Sequence, residues 1–337
     1  MKIPSLLLWG MACIALTSCK KNDANTGSAK KLYVAGTEDD ANGVNTARYW
    51  IDSTSKQVGP SGAYVLDMAV AEKNVYVLTL EGRTTGDFYT IYKNGTQLYE
   101  FRQDTTVISK IAVSGNDIYI AGSRYQNSLP YYRASVWKNG VLHFRDNSIL
   151  ETLASGIALN GSTVIVCGRE ANISSGVVAG RYWVNGTATT VPDSYELYSV
   201  ATSGSDIYTA GVIPGSNQPA YWKNTSRTML QSAGQVGFTS EILVAGTDVY
   251  VAGYESVSSR YQPRLWKNGE YQTLANTYNQ GGQAFGLFID GTDVYVAGQL
   301  RHTQGAGNQV AVIWKNGVMK QLGSFTASSE AIGVSVQ

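Results

Sequence analysis

Five-residue runs of β-branched and aromatic side chains recur along this chain. They read LYVAG at 32–36, VYVLT at 75–79, IYIAG at 118–122 and VIVCG at 164–168, then IYTAG at 207–211 and VYVAG at 249–253 and 294–298. Short apolar runs bounded by turn formers read as strands rather than helices. In six of the seven a Gly closes the run and is expected to stop the strand. Most are preceded by a Gly-x-Asp turn, as in SGNDIYIAG, and before it by another apolar stretch such as ISKIAVS or AFGLFID. Downstream of each run a further strand ends in an aromatic: Trp50, Tyr92, Trp137, Trp183, Trp222, Trp266 and Trp314.

Aligned on that aromatic, the chain repeats at intervals of 39–48 residues, with a mean of 44. A four-stranded propeller blade has this period. The strands of each repeat are A (the ISKIAVS type), B (the IYIAG type), C (ending in the aromatic) and D. Asn-Gly joins C to D at Asn94-Gly95, Asn139-Gly140, Asn185-Gly186, Asn268-Gly269 and Asn316-Gly317. A two-residue type I′ hairpin needs positive φ at both positions, which this pair supplies. Asn224-Thr225 and Asp52-Ser53 stand there in the other two repeats, where a longer or differently shaped turn is expected. The aromatic is expected to wedge between neighbouring sheets. A buried Trp removes about 150–250 Å² from water, an upper bound of roughly 4–6 kcal/mol. The Lys in Trp-Lys-Asn-Gly is expected to be solvated, and the Asp of Gly-x-Asp to cap its own backbone.

The terminal segments suggest how the repeats close. EAIGVSVQ at 330–337 reads as an A strand with no B strand after it, whereas LYVAG at 32–36 is a B strand with no A strand before it. The expected fold is all-β: a seven-bladed propeller of four-stranded antiparallel blades, closed by the C-terminal strand pairing with the N-terminal blade. The expected blades are 31–58 plus 330–337, 63–101, 106–145, 151–191, 196–230, 237–274 and 283–322. Over 31–337 the Trp-Lys-Asn-Gly repeats resemble kelch-like propeller repeats of bacterial surface lipoproteins. A kelch blade carries a di-glycine after strand B, where this chain has a single Gly after Ala. The resemblance implies a fold and a location, and no activity.

Composition narrows the class. Charged residues make up 15% of the 337 residues and the formal net charge is +1, which argues against a nucleic-acid partner. The N-terminus reads as a targeting segment: Lys2, then IPSLLLWGMACIALTS, then Cys19. Leu16-Thr17-Ser18-Cys19 is similar to a bacterial lipobox. The expectation is a signal peptide over 1–18, a lipid on Cys19 that anchors the chain to a membrane, and a polar tether over 19–30. An ordinary cleaved signal peptide and a short membrane anchor are the alternatives. The implied location is the cell envelope, on the periplasmic or surface side of an outer membrane. Cys167, the remaining cysteine, lies in an apolar strand and is expected to be a buried structural thiol.

Candidate site residues fall in two groups. Loop length varies between B and C and between D and A, which open on one face of a propeller, and function is usually grafted there. Loops on that face offer Arg124, Tyr125, Tyr131, Tyr132 and Arg133, then Arg260, Tyr261 and Arg264, then Arg301 and His302. Aromatic faces bordered by Arg suit sugars, carboxylates or a protein partner; equally, such side chains staple long loops to a blade. The second group sits where the A strands lead into the channel: Asp67, Lys110 and Glu241, which could hold an ion or polar ligand or simply pair with one another. His143 and His302 are the only histidines, so a His-rich metal site is excluded, and no catalytic motif or cofactor signature is present. Two functions remain: a monomeric binding or interaction protein that holds a glycan, peptide or protein on the loop face, which is favoured, or a carbohydrate-active hydrolase or lyase with acids such as Asp67 and Glu241 at the channel mouth.

Overall fold

In the computed structural model, residues 30–337 are described, except 53, 104, 128–130, 233–235 and 305–307. The signal segment, Cys19 and most of the tether lie outside the described residues. Residues 31–337 form one compact unit of seven four-stranded antiparallel sheets, and no described residue is helical. Each sheet is one blade, with strand A innermost and strand D outermost.

Blade 1 is composed of both ends of the chain. Its strands B, C and D are Leu32–Asp39, Asn45–Ile51 and Thr54–Ser61, and its inner strand is Ser329–Val336. Val34 pairs with Val334 and Leu32 with Val336. Lys31 and Gln337 exchange backbone hydrogen bonds of 2.7 and 3.1 Å. The Gln337 amide then continues into blade 2, donating to the Val70 carbonyl (2.8 Å) and accepting from the Lys73 N–H (3.0 Å). Closure pairs the C-terminal strand with strand B of blade 1, so that blade has four strands like the others.

The aromatic wedge packs each blade against the one before it. Trp137 of blade 3 joins Tyr76, Leu78, Tyr89 and Ile91 of blade 2. Trp50 of blade 1 packs on Tyr295, Ala297 and Ile313 of blade 7, across the closing seam. Trp183, Trp222, Trp266 and Trp314 are fully buried. Three of those indoles also donate to a carbonyl of the connection that enters their blade: Trp222 to Pro192, Trp266 to Gln231 and Trp314 to Ala275.

Three local expectations are corrected. First, Asn224-Thr225 makes a two-residue turn like the rest, with Lys223 paired to Ser226, and in blade 1 Ile51 pairs with Thr54. Asn224 and Asp52 take positive φ (56° and 58°), as Asn does elsewhere. Their side-chain oxygens do the same work, accepting the N–H that opens strand B: Ile207 to Asn224 and Leu32 to Asp52.

Second, the motif Lys is not simply solvated. In four blades it pairs with the Asp of the A–B turn: Lys138–Asp117, Lys223–Asp206, Lys267–Asp248 and Lys315–Asp293, at 2.7–2.8 Å. That Asp also accepts from the turn Asn, as Asp293 does from Asn316 at 2.8 Å. It therefore bridges the two turns of its blade instead of capping its own backbone. The Lys lies over the strand B Tyr as well, for example Lys315 over Tyr295. Lys and Asn together hold each of these carboxyls below its ordinary value.

Third, the Gly after strand B's Ala does not end the strand. Strand B runs on to Gln126 in blade 3 and to Asn172 in blade 4. Every inner strand carries a β-bulge opposite this position, at Leu66, Ser109, Ser155, Tyr198, Ser240, Phe285 and Ile332. The bulge drives a strand A carbonyl against strand B. A Cβ on Gly168 would sit 1.9 Å from the Leu153 oxygen, and one on Gly36 1.9 Å from that of Glu330. In the six blades with glycine there, that carbonyl sits where a Cβ would have to be; blade 2 carries Thr79 at this place instead.

Candidate functional site

The bulge decides what faces the channel. Asp67, Lys110 and Glu241 each follow a bulged residue, in the middle of Ala63–Ala71, Thr106–Ser114 and Val236–Ala245. They are thus placed halfway along the channel rather than at its mouth. The equivalent residues in the other blades are Gly156, Ser199, Gly286 and Gly333. Where three inner strands present only glycine, the long side chains of the others reach across.

Lys110 Nζ lies 3.2 Å from Asp67 Oδ1 and 3.3 Å from Glu241 Oε2. Asp67 Oδ2 accepts the Ile111 N–H (2.8 Å), and Glu241 Oε1 accepts the Ser199 hydroxyl (3.0 Å). Burial works against the Lys110 ammonium, but the two carboxylates outweigh it and raise its pKa above the ordinary value. Burial is the largest influence on Glu241 and raises its carboxyl, with Asp67 adding to the rise and Lys110 opposing it. This layer separates two cavities. One, of about 540 Å³, extends towards the A–B turns past Val70, Ala245 and Gly291. The other, of about 500 Å³, extends towards the loop face past Tyr64, Leu66, Phe285 and Glu330. Lys110 lines both.

Aromatic rings surround the loop-face side. Tyr198, Phe238, Tyr254 and Tyr261 form a continuous series with centroid spacings of 6.4, 5.3 and 5.0 Å. Phe285 meets Tyr254 edge-on at 6.5 Å and lines the channel cavity. Rings of blades 5, 6 and 7 thus run from the channel mouth to the B–C hairpin of blade 6. Tyr198 and Phe285 are themselves bulge residues. The signal for them was present in the chain: they stand one place before the aligned channel position, where blades 3, 4 and 6 carry Ser.

The loop-face candidates separate into two places. Arg124, Tyr125, Tyr132 and Arg133 lie on paired strands of blade 3, with Tyr125 opposite Tyr132 and Arg124 opposite Arg133. The Tyr125 and Tyr132 rings meet edge-on at 5.4 Å, and Arg124 is exposed. Arg133 is only 1% exposed and donates to the carbonyls of Tyr132 and Leu150. It fastens the entering connection of blade 4 and is removed from the surface group. Arg260, Tyr261 and Arg301 come together at blades 6 and 7, around a cleft of about 140 Å³ that also contains Gln280, Gln283 and Gln299. His302 is buried against Phe325, and Arg264 pairs with buried Glu255. Cys167 is buried; loss of water around it pushes its thiol up, away from thiolate reactivity.

No protein-family model matches this chain, and no curated protein sequence matches it either. Solved structures do. The β-propeller domain of the trilobed protease from Pyrococcus furiosus, described as an open velcro topology, is similar at 13% identity and a TM-score of 0.55. The match covers 87% of this chain and 95% of that one. An acylaminoacyl peptidase from Pyrococcus horikoshii is similar at 11% identity and a TM-score of 0.53. The match covers 87% of this chain but only 51% of the peptidase, so this chain spans about half of that protein's length. At such identities the likeness defines the class, a seven-bladed β-propeller, and goes no further.

Proposed function

We propose that this chain is a binding protein of the cell envelope, lipid-anchored through Cys19, that holds a glycan on the loop face of its propeller. Its repeats are of a kelch-like kind, and residues 19–30 act as the tether. The observation that carries this reading is the run of rings from Phe285 through Tyr254 to Tyr261, which starts at the channel mouth and ends at a 46% exposed Tyr261. Sugar rings stack on such faces, and each ring offers an apolar body with a polar tip. The closed ring of sheets supports a monomer. Asp67 and Glu241 support the hydrolase or lyase less well, because both already share one lysine halfway down the channel.

The full chain, purified in detergent, would be titrated against a panel of polysaccharides. We expect binding without product formation, weakened roughly tenfold or more by Tyr254→Ala and Tyr261→Ala. Product release that disappears in Glu241→Gln would replace the binding reading with the enzymatic one. Cys19→Ala is expected to abolish membrane fractionation and acyl labelling; unchanged fractionation would remove the anchor.

A further inference from the structure

We infer that the blade 6–7 cleft takes a uronate, a sugar ring bearing a carboxylate, as the glycan's recognised unit. This rests on the glycan reading above and names its chemistry. Arg260 and Arg301 come from different blades, 41 residues apart in sequence, and line the same two adjoining clefts. Neither has a carboxylate partner among the described residues, whereas Arg48, Arg83, Arg169, Arg181, Arg227 and Arg264 all do. Among the described residues no Asp or Glu lines either cleft; Asp39 and Asp40 border a separate depression that shares only Asn308 and Ser328 with the larger one. Arg260 makes only a long bond to the Asn279 carbonyl (3.4 Å), and two guanidiniums without a carboxylate partner over a polar cleft select a carboxylate.

Further polar groups point to a hydroxylated ligand rather than a bare anion. Gln299 and His302 line these clefts, and they are 6% and 7% exposed. The Gln299 amide reaches Gln283 at 2.7 Å, which leaves its Oε1 without a partner. His302 Nδ1 accepts the Gln304 N–H at 3.2 Å, which puts the neutral ring's proton on Nε2, also without a partner. Buried polar groups are normally paired. The amides of Gln280, Asn308 and Gln309, which line the larger cleft, both donate and accept, as the hydroxyls of a sugar do. Tyr261 borders the smaller cleft and continues into Tyr254, so a stacking face adjoins the arginines. A carboxylate, hydroxyls and a flat apolar face occur together in a uronic acid ring.

The test is calorimetric titration of the detergent-solubilised full chain with polygalacturonate, its methyl ester and polyglutamate. Binding of the acid form is expected, weakened roughly tenfold by Arg260→Gln, by Arg301→Gln and by raising the salt, with thermal unfolding unchanged. Equal binding of the ester overturns the uronate assignment while leaving the glycan reading intact. Equal or tighter binding of polyglutamate overturns it in favour of an acidic peptide. If neutral glycans bind but no uronate does, this inference alone fails; if no polysaccharide binds, both readings fail. Unchanged affinity in the Arg260→Gln/Arg301→Gln double variant also overturns it.

Discussion

Lys110 and Glu241 are 131 residues apart in sequence, and their charged ends meet at 3.3 Å inside the channel. The contact spans the ring from blade 3 to blade 6. With Asp67 it forms a polar layer between two cavities of similar size, placed by a β-bulge repeated in every inner strand. Removing the shared cation leaves two carboxylates facing a confined space. Lys110→Met is therefore expected to cost about 3 kcal/mol in urea unfolding at neutral pH. The triple change Asp67→Asn, Lys110→Met, Glu241→Gln should recover most of that loss. A single variant as stable as the parent would show that the layer is held by packing alone.

The Glu241 carboxyl gives that layer a pH signature. Burial raises its folded pKa above the ordinary 4.5, so the folded state holds this proton more tightly than the unfolded state does. Its contribution to stability is complete below about 4.5 and is lost as pH rises through the raised value. Glu241→Gln removes the titration. The stability of that variant relative to the parent should therefore climb as pH rises from about 4.5 through the raised value, in urea midpoints measured at each pH. A relative stability that is flat, or that falls, across the window contradicts the assignment.

The bulge glycines should resist the smallest enlargement. Gly168→Ala drives a methyl group into the Leu153 carbonyl, and the strand must shift to relieve it. We expect a loss of about 2–3 kcal/mol, read as a lower denaturation midpoint. Blade 2 is the internal control. There Thr79 occupies the equivalent place opposite Val65, with its hydroxyl on buried Glu81 (2.9 Å) and on the Thr90 carbonyl. Thr79→Gly should not stabilise the fold, because it removes one of that carboxylate's bonds, leaving those from Tyr92 and Arg83; a gain would mean that Thr79 is strained as well.

Blade pattern, hairpin turns and ring closure were legible in the sequence because each is a local code. Period-two strands and Asn at positive φ act within one repeat, and the missing A strand at one end matched the spare one at the other. The lysine clamp was also readable, although only by comparing repeats. Four of the five repeats with Lys before Asn carry Asp at the A–B turn, the exception being Lys93 with Asn74, and Val184 is matched by Thr163. Wherever the Asp is present the Lys is too, because their side chains touch. The β-bulge left no such mark, since an extra residue present in all seven inner strands disappears from any alignment of them.

The chain by itself thus determined seven units of sheet, their order and the joining of its ends, since hydrogen bonding and side-chain alternation are settled by neighbours within about one repeat. It did not determine which charges meet across the axis, or that Arg260 and Arg301 share a cleft while Arg133 turns inward. Those depend on the angle between blades and on how far each bulge moves its strand. Only the closed ring, in which every wedge aromatic is seated on the preceding sheet, fixes both at once.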